Sequence, residues 1–103
     1  MMKKNIHTQS VQMFFKAILS LETEEECYKF FGDVCTVNEI LTLAQRFEVG
    51  SMLLEQKTYQ EITKHTGAST TTISRVNRLL NDDDDGIEMA YERIKEGKGN
   101  DND

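Results

Sequence analysis

Residues 58–81 of the chain are TYQEITKHTGASTTTISRVNRLLN, and this stretch decides how the rest of the sequence is interpreted. Thr58 and, three residues later, Glu61 form a capping-box pair, which predicts that a helix begins here. Gly67 follows where the chain must turn sharply, because glycine adopts positive φ without steric cost. Apolar residues then recur at helical spacing, so a second short helix is predicted after the turn. Two short helices joined by a glycine turn are typical of a helix-turn-helix.

The second helix of this motif, predicted over about residues 70–80, carries polar side chains near its N-terminal end. Its apolar residues are expected to face inward: Ile73, Val76, Leu79 and Leu80. The N-terminal end of a recognition helix enters the major groove, where hydroxyls bond phosphates or base edges and arginine binds guanine. The motif therefore predicts binding to double-stranded DNA. The residues expected to contact DNA are Gln60, Lys64, Ser69, Thr70, Thr71, Thr72, Arg75 and Arg78.

Helical patterns also occupy the rest of the chain. Two more capping-box pairs, Thr23 with Glu26 and Thr36 with Glu39, predict helix starts before the motif. An earlier helix carries an apolar stripe of Val11, Phe14, Phe15, Ile18 and Leu19. The sequence has no proline and no stretch with strand periodicity, so the fold is predicted to be all-α.

Glycines and composition predict where helices and domains end. Gly32 is expected to end the second helix, and the third is predicted over about residues 37–56. The last helix is predicted over residues 87–95, with its end marked by Gly97. The predicted organisation is a helical domain over residues 1–97 and a disordered acidic tail over residues 98–103.

Length and composition narrow the class of protein. A chain of 103 residues is one small domain that buries little surface alone, so a homodimer is expected. No apolar run is long enough to cross a bilayer, and the N-terminus does not resemble a secretory signal, so a cytoplasmic protein without membrane contact is predicted. Cys27 and Cys35 fit neither a disulfide framework nor a metal site, and two buried thiols are expected.

The acidic charge is concentrated at one end of the chain. Residues 82–103 contain nine acidic and three basic residues, whereas residues 58–81 carry a net charge of +2. The acidic composition of the chain favours an alternative function, that of a helical dimeric protein-interaction module with a degenerate helix-turn-helix. The basic and hydroxyl residues of the motif favour DNA. An enzyme is not predicted, because neither His7 nor His65 has a nucleophile or paired carboxylates at a motif spacing.

Residues 43–81, LAQRFEVGSMLLEQKTYQEITKHTGASTTTISRVNRLLN, resemble the Trp repressor superfamily, and particularly its small YerC/YecD-type branch. The similarity extends from about Thr36 to Asn81. The resemblance implies a six-helix fold with a helix-turn-helix, an intertwined homodimer, and operator binding by a repressor-type transcription regulator.

In Trp repressors a threonine and two arginines form the corepressor pocket, and the matching positions here are Thr36, Arg46 and Arg75. The family pattern has glycine and serine where this chain has Val76 and Leu79. Val76 would fill space that an indole ring needs, and Leu79 offers no hydrogen bond. The resemblance therefore implies that the effector, if there is one, is not tryptophan.

The acidic segment after the motif matches part of a calcium-loop template. The matching residues are Asn81, Asp83, Asp85, Gly86 and Glu92. The first position of the template holds an uncharged asparagine, and the sequence contains only one such loop. No metal is therefore expected, and no other cofactor is predicted. Carboxylates favour the N-terminus of the helix that follows. The run Asp82–Asp85 should also repel the phosphates of a bound duplex.

Overall fold

The computed structural model describes residues 6–82 and 84–101, with side chains described no further than residue 97. The described residues form six helices and no strand, which confirms the predicted all-α class. The helices are α1 (Gln9–Leu19), α2 (Glu24–Val34), α3 (Val37–Leu54), α4 (Tyr59–Thr66), α5 (Thr70–Leu80) and α6 (Gly86–Asp101).

The chain divides into two compact units, Met1–Thr42 and Leu43–Asp103. The first unit holds an aromatic cluster, in which the Phe14 and Phe30 rings stack at a centroid distance of 5.8 Å. The rings of Phe30 and Phe31 meet edge to face at 5.2 Å. None of the described side chains of this unit is buried. These aromatic groups therefore contact one another without forming an enclosed core.

The second unit has a small apolar core. Its buried side chains are Val49, Ile62, Ala68, Ile73 and Val76, packed against the partly buried Met52, Leu53, Tyr59 and Ile87. The inward positions expected for Ile73 and Val76 are confirmed. The expectation for Leu79 was wrong, because half of its surface is exposed. It lies in the last turn of α5, beyond the residues that enclose the core.

The capping residues are largely those that the sequence predicts. Thr36 and Glu39 form a complete box, with the Thr36 amide donating to Glu39 Oε1 at 2.8 Å and the Glu39 amide donating to Thr36 Oγ1 at 3.1 Å. Thr23 caps α2 by accepting from the Glu26 amide. The Glu26 carboxylate, however, accepts from the amide of Glu22, one residue earlier than a capping box requires.

Three helix ends differ from their predicted positions. Helix α3 ends two residues early because Gln56 adopts a left-handed φ of 65°. Helix α2 continues through Gly32 to Val34, and α6 continues through Gly97. A glycine inside a helix costs only about 0.5–1 kcal/mol relative to alanine, so neighbouring residues with good helix propensity carry the helix past it. The division of the chain at residue 97 stays a prediction.

Neither cysteine is buried. Cys27 is exposed and Cys35 is half-buried, so the expectation of two buried thiols was wrong. Cys27 lies on a helix of a unit whose described side chains are not enclosed, which explains its exposure. No helix in the described ranges is long and apolar enough to cross a membrane.

Gly50 is a point where α3 closely approaches its neighbours in the second unit. A Cβ atom added at Gly50 would lie 2.7 Å from Ile87 Cγ2 and 3.5 Å from Val76 Cγ1. The first distance is shorter than van der Waals contact allows. The absence of a side chain at residue 50 therefore lets α5 and α6 pack against α3.

We expect Gly50→Ala to lower the free energy of unfolding by about 1–3 kcal/mol, because an added methyl group overpacks this contact. Urea unfolding followed by circular dichroism measures the change. Gly97→Ala in α6 is the matched control, since a Cβ atom there meets nothing within 4 Å. The control should be as stable as the parent or more so. A Gly50→Ala variant as stable as the control would contradict this packing.

Candidate nucleic-acid interface

Helix α4 forms the first half of the helix-turn-helix and begins with a complete capping box. The amide of Thr58 donates to Glu61 Oε1 at 2.8 Å, and the amide of Glu61 donates to Thr58 Oγ1 at 3.1 Å. The backbone and hydroxyl hydrogen bonds from Thr58 lower the pKa of Glu61 below its ordinary value. The stability that these hydrogen bonds give to the folded protein is therefore present at neutral pH and is lost as the pH falls through the lowered pKa of Glu61.

The orientation of α4 separates a buried residue from a polar face. Ile62 is fully buried in the core of the second unit. Gln60 and Lys64 are exposed, and their spacing of four residues places them on one side of the helix. Two of the predicted DNA-contacting residues are thus brought to the same exposed face.

The turn between α4 and α5 is defined by hydrogen bonds and by one glycine. Gly67 has φ 76°, and its amide donates to the carbonyl oxygen of Thr63 at 2.8 Å. The Thr66 hydroxyl donates to the carbonyl oxygen of Ile62 at 2.7 Å and accepts from the Ala68 amide at 3.1 Å. Ala68 is buried, so the turn is anchored in the core directly before α5 begins. The predicted role of Gly67 is confirmed.

Ser69 is the N-cap of α5. Its hydroxyl oxygen accepts from the Thr72 amide at 3.1 Å, and its hydroxyl donates to Thr72 Oγ1 at 3.2 Å. Thr70 and Thr71, which follow it, are exposed, whereas Thr72 is half-buried. The four hydroxyl residues are therefore divided into two pairs. Ser69 and Thr72 bond to each other at the cap, whereas Thr70 and Thr71 face solvent.

The outward side of α5 carries a polar stripe that sequence analysis described incompletely. Thr71, Ser74, Arg75 and Arg78 are all exposed and follow the spacing i, i+3, i+4 and i+7 of one helix face. Ser74 was missed, although its position three residues after Thr71 was a usable signal. In the described part of the chain, neither arginine is paired with a carboxylate.

The acidic run begins at the opposite end of α5 from the exposed threonines. Asp82, Asp84 and Asp85 are exposed. An 11-residue helix such as α5 is roughly 16 Å long, which exceeds the Debye length of about 8–10 Å at ordinary salt. The carboxylates therefore act on charged groups near Arg78 more than on groups near Thr70.

The residues that match the corepressor pocket lie in both units. Thr36 belongs to the first unit and caps α3. Arg46 and Arg75 belong to the second unit and are exposed. Val76 is buried and lies near the backbone of Gly50, so it fills space between α3 and α5 that a ligand there would need.

An open groove of about 830 Å³ lies between α3 and α4. Its lining residues are Ala44, Phe47, Glu48, Ser51, Met52, Glu55, Lys57, Glu61 and His65. His65 Nε2 and Glu48 Oε2 are 3.0 Å apart across it. None of the residues that match the corepressor pocket lines this groove.

The described residues do not reproduce a calcium loop. Helix α6 begins at Gly86, whereas the template requires an open loop for several residues beyond that position. Within residues 6–82 and 84–101 no group of three or more histidine, cysteine or acidic residues is arranged to hold a metal ion. Asp83, one of the template positions, lies outside the described residues.

Comparison with known proteins places this geometry in a family. The model of the Trp repressor protein family matches residues 9–95, nearly the whole chain. The chain belongs to the Trp repressor family. This is a family of helical DNA-binding transcription regulators and not a family of enzymes.

Relatives of the Trp repressor family extend the comparison. The uncharacterized protein YerC of Bacillus subtilis (strain 168) is 56% identical over 88 residues, covering 85% of each chain. A TrpR-like protein from Eubacterium eligens ATCC 27750 has a crystal structure with a TM-score of 0.87 and 55% identity, covering 90% of this chain and 96% of its own. A candidate Trp repressor from Staphylococcus aureus gives a TM-score of 0.88 and 44% identity, covering 92% and 95%. The six-helix TrpR-like fold and the YerC-type resemblance are confirmed.

Proposed function

We propose that this protein is a sequence-specific, repressor-type transcription regulator in the cytoplasm that inserts α5 into the major groove as a homodimer. The observation that carries the proposal is the exposed stripe of Thr71, Ser74, Arg75 and Arg78 on the helix that follows a core-anchored turn. Hydroxyl and guanidinium groups on one helix face are the groups that bind base edges and phosphates.

Each residue of the proposed interface has a role that follows from its position. Arg75 and Thr71, on the N-terminal part of the outward stripe, would contact base edges. Lys64 and Arg78 would bind phosphates, which sets the register of the protein on the duplex without determining sequence. Gln60 at the start of α4 would add a phosphate contact, and Thr70 would contribute an exposed hydroxyl group, whereas the half-buried Thr72 is hydrogen-bonded to Ser69. Ser69 would support the interface chiefly as the cap of α5.

The exposed surface of the first unit supports the homodimer. Several of its large apolar side chains are mostly exposed: Met13, Leu19, Tyr28, Val34, Val37 and Leu41. A monomeric soluble protein seldom exposes so much apolar surface, and a second copy of the chain supplies a matching face by symmetry. Two copies would also present two α5 helices to successive half-sites of one operator.

Mobility-shift titration of genomic fragments at low and moderate salt tests the proposed function. Salt-sensitive binding that survives competition by unrelated duplex would support it, because specific contacts add to phosphate contacts. Binding to none of the duplexes, even at low salt, would favour the protein-interaction module that the acidic composition also suggests.

Free L-tryptophan should not bind this protein with appreciable affinity. Val76 occupies space between α3 and α5, and overfilling a packed site costs about 1–3 kcal/mol. Leu79 offers no hydrogen bond to an amino-acid head group, and an unpaired charged group costs a comparable amount. Isothermal titration calorimetry at high-micromolar tryptophan should give no saturable heat. A saturable heat with one site per subunit would show that Val76 does not block the pocket.

Neutralising the acidic run should strengthen DNA binding, most clearly at low salt. Replacing Asp82–Asp85 with asparagines removes carboxylates that repel phosphates over about a Debye length. Binding isotherms at several salt concentrations measure the effect. Replacing four other exposed carboxylates, Glu22, Glu25, Glu92 and Glu96, with glutamines is the matched control for the same change in net charge. If both sets of changes alter affinity equally, the position of the aspartates has no special influence.

A further inference from the structure

Gln45 connects α3 to the turn of the helix-turn-helix. Its side-chain Nε2 donates to the carbonyl oxygen of Thr66 at 3.1 Å, although the two residues are 21 positions apart in sequence. The hydrogen bond is partly buried, so competition from water is reduced. Because Thr66 is the last residue of α4, the bond links α3 directly to the start of the turn.

The peptide group between Thr66 and Gly67 is thereby held at both of its polar atoms. Its carbonyl oxygen accepts from Gln45, and its N–H group donates to the carbonyl oxygen of Thr63 at 2.8 Å. Gly67, at φ 76°, is the residue of this turn with the greatest conformational freedom. These two hydrogen bonds fix the backbone on one side of Gly67, and Ala68, buried in the core, fixes it on the other, so the rotation that this glycine permits is limited.

The orientation of this peptide contributes to the direction of α5, together with the packing of Ile73 and Val76 in the core. Ser69, the N-cap of α5, follows Gly67 by only two residues, so a rotation at the turn is transmitted to the helix with little loss. A rotation of about 5° would move Arg78, nine residues beyond Ser69, by roughly 1 Å at 1.5 Å rise per residue. A displacement of that size is enough to weaken a recognition site whose contacts depend on geometry.

We propose that Gln45 is a positioning residue for DNA recognition, because its amide holds the Thr66–Gly67 peptide and so helps to set the direction of α5. The inference rests on the proposed function. Gln45 acts through the turn and does not itself contact DNA. Its loss should therefore reduce the contacts that depend on orientation, those to base edges, more than the contacts to phosphates.

The test compares Gln45→Met with the unaltered protein on two duplexes, one selected by the unaltered protein and one of the same length with a scrambled sequence. Methionine has nearly the length and helix propensity of glutamine but no donor. Affinity for the selected duplex should fall roughly three- to tenfold, the loss expected for one hydrogen bond. Affinity for the scrambled duplex should stay the same, and the Gly67 amide nitrogen resonance should shift.

Gln12→Met, the same change at an exposed position of α1, is the matched control. A partly unfolded variant would lose affinity for both duplexes equally, so the ratio of the two affinities separates positioning from general destabilisation.

If Gln45→Met does not fold, Gln45→Glu keeps a polar side chain that cannot donate at neutral pH and should give the same ratio. An unchanged ratio overturns the role of Gln45 alone. Failure of the unaltered protein to bind either duplex overturns the proposed function as well.

Discussion

Arg75→Ala should lower the affinity for the specific operator by about 1–3 kcal/mol, equivalent to roughly 5- to 150-fold. Arg75 is exposed on the outward stripe of α5, and its guanidinium pairs with no carboxylate in the described part of the chain. It therefore reaches a duplex without first breaking an internal interaction. Removal of a bidentate contact to guanine also relaxes discrimination at that base pair, so affinity for sites altered there should fall less.

Two matched variants distinguish base recognition from loss of charge. Arg78→Ala, at the C-terminal end of the same stripe, should weaken binding to all duplexes uniformly and reduce the salt slope by about 1. Arg93→Ala removes an exposed arginine from α6, outside the proposed interface, and should have little effect. Fluorescence anisotropy titrations at several salt concentrations measure all three variants. Undiminished specific binding by Arg75→Ala would refute the role assigned to it.

Leu41→Asp should convert a stable homodimer into a monomer or an unfolded chain. Leu41 is 60% exposed on α3, and Val37, one turn earlier, is 72% exposed. In an isolated chain a charge at this position stays in water and costs little. In a dimer that covers this face, the unpaired carboxylate is buried, at a cost of several kcal/mol. The change should therefore weaken dimerisation by two or more orders of magnitude, about one for each 1.4 kcal/mol.

Light scattering coupled to size-exclusion chromatography measures this effect. The unaltered protein should have twice the 11.8 kDa mass of the chain at micromolar concentration. Thr42→Asp, the same substitution at the neighbouring exposed position, is the matched control and should stay dimeric. A stable, folded monomer for the unaltered protein would remove the homodimer from the proposal. A dimer that tolerates Leu41→Asp would place the interface elsewhere.

The sequence predicted the helix-turn-helix because its signals are local. The capping box of Thr58 and Glu61 and the left-handed turn at Gly67 depend on residues within a few positions of each other. Helix ends were harder to predict, because a glycine alone is a local signal that does not by itself end a helix. Gly32 and Gly97 resemble the glycine of that turn in sequence, but the helices continue through them because no other feature favours a turn there.

The tertiary features of the candidate site were not visible in the sequence. The contact between Gly50 and Ile87 and the hydrogen bond from Gln45 to Thr66 join residues far apart in the chain. Ser69 was expected among the DNA-contacting hydroxyls, and only the structure shows its hydroxyl engaged as a cap. Ser74, by contrast, followed the helical spacing of the exposed stripe and could have been predicted.

The most direct test of the proposed DNA recognition is selection of bound duplexes from a randomised pool by the full-length protein. If α5 reads the major groove from each half of a homodimer, successive rounds should enrich a palindromic sequence. Its half-sites should lie one or more helical turns apart, about 10–10.5 base pairs for each turn. Arg75→Ala should then lose preference at one position of each half-site. A pool that shows no enrichment at low salt would contradict sequence-specific recognition by this protein.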